Sequence, residues 1–262
     1  MSTGSTILSV RDVSKRFGGL TAVDNVTFDV DAGEIVGLIG PNGAGKSTLF
    51  NLVSGLAPLT SGSVFFENRD MASVPPHGRS AIGMTRTFQI VRQFGQLQVL
   101  DNAMLGGHAG VTQGFMASLL RLPAVLAENR RLRGEAMEWL RFVGLDHRAY
   151  ELAAHLPHGQ QRLLEIARAM VMRPKLLMLD EPAAGLNGAE TANLLEILRR
   201  INAQGTAILI VEHDMNFIMS LCDAIVVLDH GTLIARGTPA AVRADPAVIE
   251  AYLGKKAAHA AH

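Results

Sequence analysis

The chain has 262 residues, 48% of them hydrophobic, and its 24 basic and 24 acidic residues cancel to no formal net charge. This much apolar sequence is sufficient for a full hydrophobic core, whereas balanced charge without a dense basic run argues against a nucleic-acid partner. The single cysteine, Cys222, excludes an intramolecular disulfide framework and a multi-cysteine zinc site. No apolar run is long enough to predict a transmembrane segment.

The first part of the chain is predicted to form β-strands. Residues 26–30 alternate between apolar and polar side chains, which is typical of a sheet with one buried face. Residues 64–66 follow a Ser-Gly turn and predict another strand. Between these two segments, the apolar run at 35–39 predicts a strand, and a helix-like stretch from 47 to 55 comes after it.

The segment that joins this strand to this helix matches a phosphate-binding loop. Its pattern is Gly-x-x-x-x-Gly-Lys-Ser/Thr, and the strand–loop–helix setting is the context that the motif requires. The glycines let backbone N–H groups point at phosphate oxygens, the lysine reaches the β- and γ-phosphates, and the serine hydroxyl ligates Mg²⁺. The predicted ATP-binding residues of the loop are Gly40, Pro41, Asn42, Gly43, Ala44, Gly45, Lys46, Ser47 and Thr48.

The middle of the chain, from 101 to 172, is predicted to be helical. One set of apolar residues recurs at the spacing of a single helix face, namely Leu132, Ala136, Trp139, Leu140 and Val143. The charged residues between these positions are most simply interpreted as the solvent-exposed face of the same helix. A helical block between the two halves of an α/β sheet is interpreted as an inserted second lobe.

The last third of the chain alternates strands with helices. The apolar runs at 176–179 and 207–211 are typical of central parallel strands, and the helical stretch 188–203 joins them into a βαβ unit. Residues 223–235 predict a β-hairpin, and 239–253 predict two short helices.

Two acidic residues end the first of these parallel strands. In a parallel sheet this end faces the ligand crevice. Asp180 is therefore a candidate Mg²⁺ ligand, and Glu181 is a candidate for the group that polarises the water attacking the γ-phosphate.

Further motifs complete a recognisable order. Gln89 follows Arg-Thr-Phe, a Leu-Pro-His-Gly-Gln turn at 156–160 opens a helix, and His213 follows the second apolar run. Phosphate loop, glutamine, Gly-Gln turn, Asp-Glu pair and histidine in this order resemble the ABC-type ATPase family over residues 7–254. The resemblance implies an α/β fold: a P-loop NTPase core sheet with an antiparallel β subdomain and an inserted α-helical subdomain.

The same resemblance implies a domain organisation. A single ABC ATPase domain is expected at 6–254. It divides into a catalytic α/β lobe at 6–87 and 173–236, a helical lobe at 88–172 and C-terminal helices at 237–254. Residues 255–262 are expected to be a disordered tail.

In this family two ATP-binding domains face each other, and ATP lies between one subunit's phosphate loop and the other's signature turn. The resemblance implies that Gln89 reaches Mg²⁺ and the attacking water, that His213 hydrogen-bonds the γ-phosphate, and that Phe17 stacks on adenine. Gln89, Glu181 and His213 are thus the expected catalytic residues, and Ser47, Gln89 and Asp180 the expected Mg²⁺ ligands. The implied trans ATP contacts are Pro157, His158, Gly159 and Gln160, and the implied D-loop, which crosses the dimer interface, is Ala184, Gly185, Leu186 and Asn187.

The sequence departs from the family pattern at two positions. Pro157 stands where the signature turn usually has serine, so it offers no hydroxyl to the γ-phosphate or to the helix N-terminus. We expect phosphate recognition there to rest on the Gly159 N–H and the helix dipole, and the ATP site that this turn completes to be weakened. Asn187 stands where the D-loop usually has aspartate, which removes a charge from the dimer interface.

Other segments resemble the LivG-type ATP-binding subunits of branched-chain amino acid importers. They are residues 181–187, 212–215 and 251–254, together with the extended segment 106–133. The resemblance implies a second, non-identical ATP-binding subunit, two membrane permease subunits and an external substrate-binding protein as partners. It places the chain at the cytoplasmic face of the inner membrane as a peripheral protein.

Three other functions remain open on the sequence. In the first, the chain is an ABC transporter ATPase for another cargo, either an amide or urea, or a lipid as in lipopolysaccharide-type exporters. The long middle segment argues against the lipid exporter but not against amides. Alternatively, the chain is a soluble ABC ATPase used in assembly. A nucleotide switch without turnover is disfavoured because Asp180, Glu181 and His213 are all present.

Overall fold

The fold is built around a central, mainly parallel β-sheet. The computed structural model describes residues 5–87, 94–108 and 123–259. The strands of the central sheet lie in the order β10-β9-β3-β8-β7-β6. They are β3 (Ile35–Ile39), β6 (Met84–Arg86), β7 (Leu176–Asp180), β8 (Ala207–Val211), β9 (Ala224–Asp229) and β10 (Thr232–Gly237). All neighbours pair in parallel except β9 and β10, which form the predicted antiparallel hairpin.

A second sheet is antiparallel and is formed mainly by the first part of the chain. Its order is β2-β1-β4-β5. The strands are β1 (Thr6–Phe17), β2 (Leu20–Asp31), β4 (Ser61–Phe66) and β5 (Arg69–Asp70). The alternation predicted at 26–30 therefore lies in a longer strand, β2.

Among the described helices, the first seven lie in connections between strands and the last two follow the final strand. They are α1 (Lys46–Ser54), α2 (Pro76–Arg79), α3 (Val99–His108), α4 (Pro123–Phe142), α5 (His158–Val171), α6 (Gly188–Asn202), α7 (Met215–Leu221), α8 (Pro239–Ala244) and α9 (Pro246–His259). Short 3₁₀ turns lie at 71–73, 80–82, 146–148 and 153–155. Within the ranges that the structure covers, no helix is both long and apolar enough to span a bilayer.

The central sheet separates two hydrophobic cores. Successive side chains of a strand point to opposite faces, so Ile35 and Ile39 pack with the helices while Val36 and Leu38 pack toward the antiparallel sheet and α1. Every residue of β3 is buried. Covering on both faces explains why the central strands are continuously apolar rather than alternating.

The helical lobe is assembled from α3, α4 and α5. Leu132, Ala136 and Leu140 of the predicted apolar face are buried, while Trp139 is only partly buried. Helices α3 and α5 approach closely because a glycine faces the partner backbone: a methyl group at Gly106 would overlap the carbonyl oxygen of Arg168. Side chains therefore do not separate the two helices at this point.

The last helix extends past residue 254, where the domain was expected to end. Helix α9 continues through residues 255–259, which were expected to be disordered, and residues 260–262 lie outside the described part of the chain. Once the packed part of α9 has formed, each further alanine or lysine adds a helical hydrogen bond at little cost. The predicted fold class, a P-loop core with an antiparallel β subdomain and helices, is otherwise confirmed.

Candidate functional site

The phosphate-binding loop connects β3 to α1. Gly40, Gly43 and Gly45 have φ angles of 152°, 81° and 94°, in the region that favours glycine. A Cβ at Gly45 would lie 2.5 Å from the Ala22 carbonyl oxygen, so that position also needs glycine for space. The loop thus has the backbone that turns N–H groups inward ahead of a helix N-terminus.

Lys46 lies at the first turn of α1 and points back over this loop. Its Nζ donates hydrogen bonds to the carbonyl oxygens of Gly40, at 2.7 Å, and Pro41, at 3.0 Å. Ser47 is exposed beside it, at the same helix end. An ammonium group and a hydroxyl at the N-terminus of α1 are suited to binding phosphate and a phosphate-bound cation.

The antiparallel sheet overhangs the loop at one side. Phe17 ends β1 and pairs with Leu20 at the start of β2, two residues before the Ala22 carbonyl that lies against Gly45. The Phe17 ring is 53% exposed, and Lys15 Nζ lies 5.0 Å from its centroid. An exposed aromatic ring at this place is available for stacking.

Asp180 is held by an arginine that the sequence analysis did not single out. Arg86 Nη2 lies 2.8 Å from Asp180 Oδ2, and Arg86 Nη1 donates to Asn51 Oδ1 at 2.7 Å and to Ser54 Oγ at 2.8 Å. The guanidinium also lies over the Phe50 ring, 4.6 Å from the centroid. Arg86 therefore ties the ends of β6 and β7 to α1. The three-residue strand β6, Met-Thr-Arg, is too short and too polar to have given a signal in the sequence.

Glu181 and His213 come together because β7 and β8 are neighbouring parallel strands. Their ends lie side by side: Asp180 pairs with Val211, and Glu181 N–H donates to the Val211 carbonyl at 2.9 Å. His213 Nδ1 is 3.9 Å from Glu181 Oε1, and the two side chains are 63% and 46% exposed. Gln89, the third expected catalytic residue, lies outside the described residues.

The signature turn packs against the D-loop of its own chain. Pro157 is the N-cap residue of α5 and makes no side-chain cap, and His158 begins the helix. A methyl group at Gly159 would overlap Glu190 Oε1, and a Cβ at Gly185 would lie 3.3 Å from His158 Cε1. Gln160 Oε1 accepts a hydrogen bond from Arg148 Nη1 at 2.6 Å. The turn is thereby fixed relative to the residues that follow Glu181.

The D-loop itself ends in a helix cap. Ala184 N–H donates to the Glu181 carbonyl at 3.2 Å, and Leu186 N–H donates to the Ala183 carbonyl at 3.1 Å. Asn187 is the N-cap of α6 and forms a reciprocal capping box with Glu190. The asparagine that replaces the family's usual aspartate thus has a local role in starting this helix.

A cavity of about 610 Å³ separates the helical lobe from the central sheet. Its lining includes Arg79, Arg86, Phe94, Leu105, Glu165 and Met172. Burial raises the pKa of Glu165 and lowers that of Arg168, while Arg162 Nη1 lies 3.1 Å from Glu165 Oε2. Most of the lining is apolar, and Thr87 and Phe94, which flank the segment that contains Gln89, both belong to it.

Comparison with known proteins identifies the family. Residues 23–184 match the family model described as ABC transporter, and residues 232–258 match the model described as branched-chain amino acid ATP-binding cassette transporter. The high-affinity branched-chain amino acid transport ATP-binding protein LivG of Salmonella typhimurium is 43% identical over 254 residues, covering 95% of this chain and 98% of that protein. BraF of Pseudomonas aeruginosa, which carries the same description, is 41% identical over 250 residues, again covering 95% of this chain and 98% of that protein.

Solved structures give the same result. An ATP-binding cassette of an ABC transporter in its ADP conformation superimposes with a TM-score of 0.83 at 32% identity, covering 95% of this chain and 99% of that one. A nucleotide-free cassette from an ABC transporter gives a TM-score of 0.82 at 31% identity, covering 94% and 98%. The resemblance predicted from the motif order is confirmed. The chain belongs to the ABC transporter family, as an ATP-hydrolysing subunit of the LivG type.

Proposed function

We propose that this chain energises a membrane importer of branched-chain amino acids by binding and hydrolysing ATP at residues of the loops just described. The observation that carries the proposal is the meeting of Glu181 and His213 at adjacent strand ends, in a chain whose C-terminal segment matches the branched-chain family model. The relatives LivG and BraF are described as branched-chain amino acid transport ATP-binding proteins, which supports branched-chain amino acids as the cargo.

The phosphate loop is the proposed binding element for ATP. Its inward N–H groups and Lys46 bind the phosphates, and Phe17 stacks on the adenine. Ser47 and Asp180 offer the hard oxygen ligands that Mg²⁺ prefers, with Gln89 as the third proposed ligand. Bound there, Mg²⁺ neutralises charge that develops on the β- and γ-phosphates.

Hydrolysis is proposed to use the two strand-end side chains. Glu181 accepts a proton from the attacking water, and His213 hydrogen-bonds the γ-phosphate. Gln89 orients the same water. Both described side chains are substantially exposed, so each is accessible to a nucleotide bound over the loop.

Each ATP site is proposed to be completed by a second ATP-binding subunit, not identical to this one. The signature residues 157–160 reach the ATP of the partner, and the D-loop residues 184–187 cross the interface. Because His158 packs on Gly185, the two segments present one continuous surface. ATP binding closes the pair and hydrolysis reopens it, a ligand-driven shift between two states.

The cavity between the lobes is the proposed docking site of a permease subunit. Most of its lining surface is apolar, and the lining includes Thr87 and Phe94, the described residues that precede and follow the Gln89 segment, so a permease helix docked there would lie next to both of them. Two permeases and an external binding protein complete the proposed importer, which places this chain at the cytoplasmic face of the membrane as a peripheral subunit.

The test is uptake of radiolabelled leucine, with acetamide and urea as alternative cargoes, in cells that lack this chain's gene. Complementation with the wild-type gene is expected to restore leucine uptake selectively. Glu181→Gln is expected to bind ATP normally, to trap a closed pair of ATP-binding subunits and to restore no uptake. Preserved ATP turnover in this variant would overturn the role of Glu181, and restored uptake of another cargo only would overturn the substrate.

A further inference from the structure

Glu212 is a carboxylate that lies almost fully buried beside the hydrolytic residues. It follows the last residue of β8 and is 1% exposed. Burial raises the pKa of its carboxyl group, and hydrogen bonds from the backbone N–H groups of Ala183, His213 and Asp214 act in the opposite direction. Burying a carboxylate this deeply costs free energy unless both of its oxygens accept hydrogen bonds.

The two oxygens of Glu212 bind two different loops. Oε1 accepts a hydrogen bond from Ala183 N–H at 2.7 Å, and Oε2 accepts one from His213 N–H at 3.1 Å. Ala183 lies two residues after Glu181, at the start of the D-loop. The carboxylate therefore connects the loop after β7 with the loop after β8 through charge-assisted hydrogen bonds.

The imidazole of His213 lies between the two carboxylates. Its Nδ1 is 3.7 Å from Glu212 Oε2 and 3.9 Å from Glu181 Oε1. Glu212 is thus the buried partner, and Glu181 the accessible one, of the same histidine. A neutral side chain with a single acceptor could bind one of these two backbone N–H groups, but it would leave the N–H group of the other loop without an acceptor.

We propose that Glu212 is a positioning residue for ATP hydrolysis, holding the loops of Glu181 and His213 in one fixed arrangement. This inference rests on the roles proposed above for these two residues. Glu212 does not touch the nucleotide itself. It acts through His213 and through the backbone after Glu181, so its loss is expected to slow turnover rather than weaken ATP binding.

The variant Glu212→Gln tests this directly. Glutamine keeps the shape but presents an NH₂ group to one of the two backbone N–H donors, which then has no acceptor. We expect KM for ATP to change by less than about twofold, whereas kcat falls roughly tenfold or more, the scale of one lost charge-assisted hydrogen bond.

The matched control is Glu34→Gln, made in the same full-length chain. Glu34 Oε2 also accepts a backbone N–H, from Asp31 at 2.8 Å, and burial also raises the pKa of its carboxyl group. It precedes β3 and so lies at the opposite end of the parallel strands from the site. Its replacement is expected to leave kcat and KM unchanged.

A double-mutant cycle with His213→Ala separates positioning from a general structural role. In the His213→Ala background, Glu212→Gln is expected to lower kcat by a clearly smaller factor than in the wild type, because one of the two loops through which Glu212 acts has already lost its functional side chain. Equal losses in both backgrounds would overturn the proposal. So would unchanged kcat in the single variant, or a rise in KM alone.

Folding is checked by circular dichroism and by equilibrium binding of Mg-ATP. If Glu212→Gln does not fold, Glu212→Asp takes its place, since aspartate keeps the charge but is one methylene too short to reach both N–H groups. The same selective loss of kcat is expected, and normal kcat would count against the inference. Absence of ATPase activity from the wild-type chain in the complete complex, with its partner ATP-binding subunit present, would refute the proposed function instead, which keeps the two failures distinct.

Discussion

At the scale of single residues, Asp180 depends on a side chain almost a hundred positions earlier in the sequence. Arg86 is largely buried and divides its donors among Asp180, Asn51 and Ser54. An ion pair with additional hydrogen bonds in a partly buried setting is worth more than one in water. The carboxylate that is proposed to ligate Mg²⁺ is therefore oriented before any nucleotide binds.

We predict that Arg86→Met lowers the free energy of unfolding by about 2 kcal/mol, because it removes hydrogen bonds that hold a partly buried carboxylate. It should also weaken Mg-ATP binding. Urea unfolding and equilibrium binding measure the two effects. The control is Arg131→Met, which breaks exposed ion pairs with Glu128 and Glu135 on α4 and should change neither quantity measurably. Equal effects of both variants would contradict the role of Arg86.

Cys222 gives a second prediction at this scale. It is buried, and a Cβ at Gly37 would lie 2.9 Å from its Sγ. Burial raises the pKa of the thiol from 9.0 to about 12, so the native protein holds it neutral at pH 8. We expect no reaction with a disulfide reagent at pH 8 until the chain unfolds. Fast labelling of the folded protein would contradict this burial.

The same shift has a consequence for stability at alkaline pH. The unfolded chain ionises its thiol near pH 9 while the folded chain keeps it protonated. The stability that comes from burying the protonated Cys222 thiol is therefore complete below about pH 9 and is lost as the pH rises toward 12. Cys222→Ser provides the comparison, since its stability should lack that alkaline component.

At the scale of elements, the helix that follows the D-loop and the helix that carries the signature turn begin in different ways. Helix α6 starts with the capping box of Asn187 and Glu190, which satisfies N–H groups at both positions. Helix α5 starts at Pro157, which has no donor or acceptor in its side chain and makes no cap. The start of α5 is therefore the less stabilised one, although it carries the signature turn.

We predict that Pro157→Ser stabilises the start of α5 by about 1 kcal/mol through a side-chain cap. In the complete complex it should also raise ATPase activity, because the hydroxyl becomes available to the γ-phosphate of the facing subunit. Urea unfolding of the isolated chain and ATP turnover of the complex report on these two effects. An unchanged turnover rate, despite a measured gain in stability, would contradict the idea that proline weakens this ATP site.

At the scale of the whole molecule, the central sheet joins two regions with separate cores, and the cavity lies where the helical lobe meets it. Leu105 lines the cavity from α3, Met172 lines it just after α5, and Arg86 lines it from β6. A partner seated there touches both regions at once. The proposed partner would therefore contact the helical lobe and, beside Arg86, the part of the central sheet that holds Asp180.

We predict that Leu105→Arg reduces recovery of the permease subunits with this chain at least tenfold, because it places a charge in the apolar groove. ATP binding by the isolated chain should persist. Ile249→Arg is the matched control, since Ile249 is 43% exposed on α9 and does not line the cavity. If the Leu105→Arg chain still recovers the permease subunits at the wild-type level, the groove is not the docking site.

The sequence by itself determined the elements that depend on neighbours along the chain. The phosphate loop was readable because an apolar strand, a glycine-rich motif and a helix start follow one another within about fifteen residues, and the structure then showed positive φ angles at these glycines. The Asp180-Glu181 pair was readable because it ends a continuously apolar strand. The order of motifs then predicted the fold and family that the comparisons confirmed, while the roles of individual site residues stay predictions.

Only the tertiary structure decided which side chains hold the site together. Arg86 meets Asp180, and Glu212 meets Ala183, because β6, β7 and β8 lie side by side in the sheet. Strand order is set by long-range packing on both faces, and it leaves no periodic signal in a single sequence. For the same reason the cavity between the lobes, whose lining comes from distant segments, became visible only in the folded molecule.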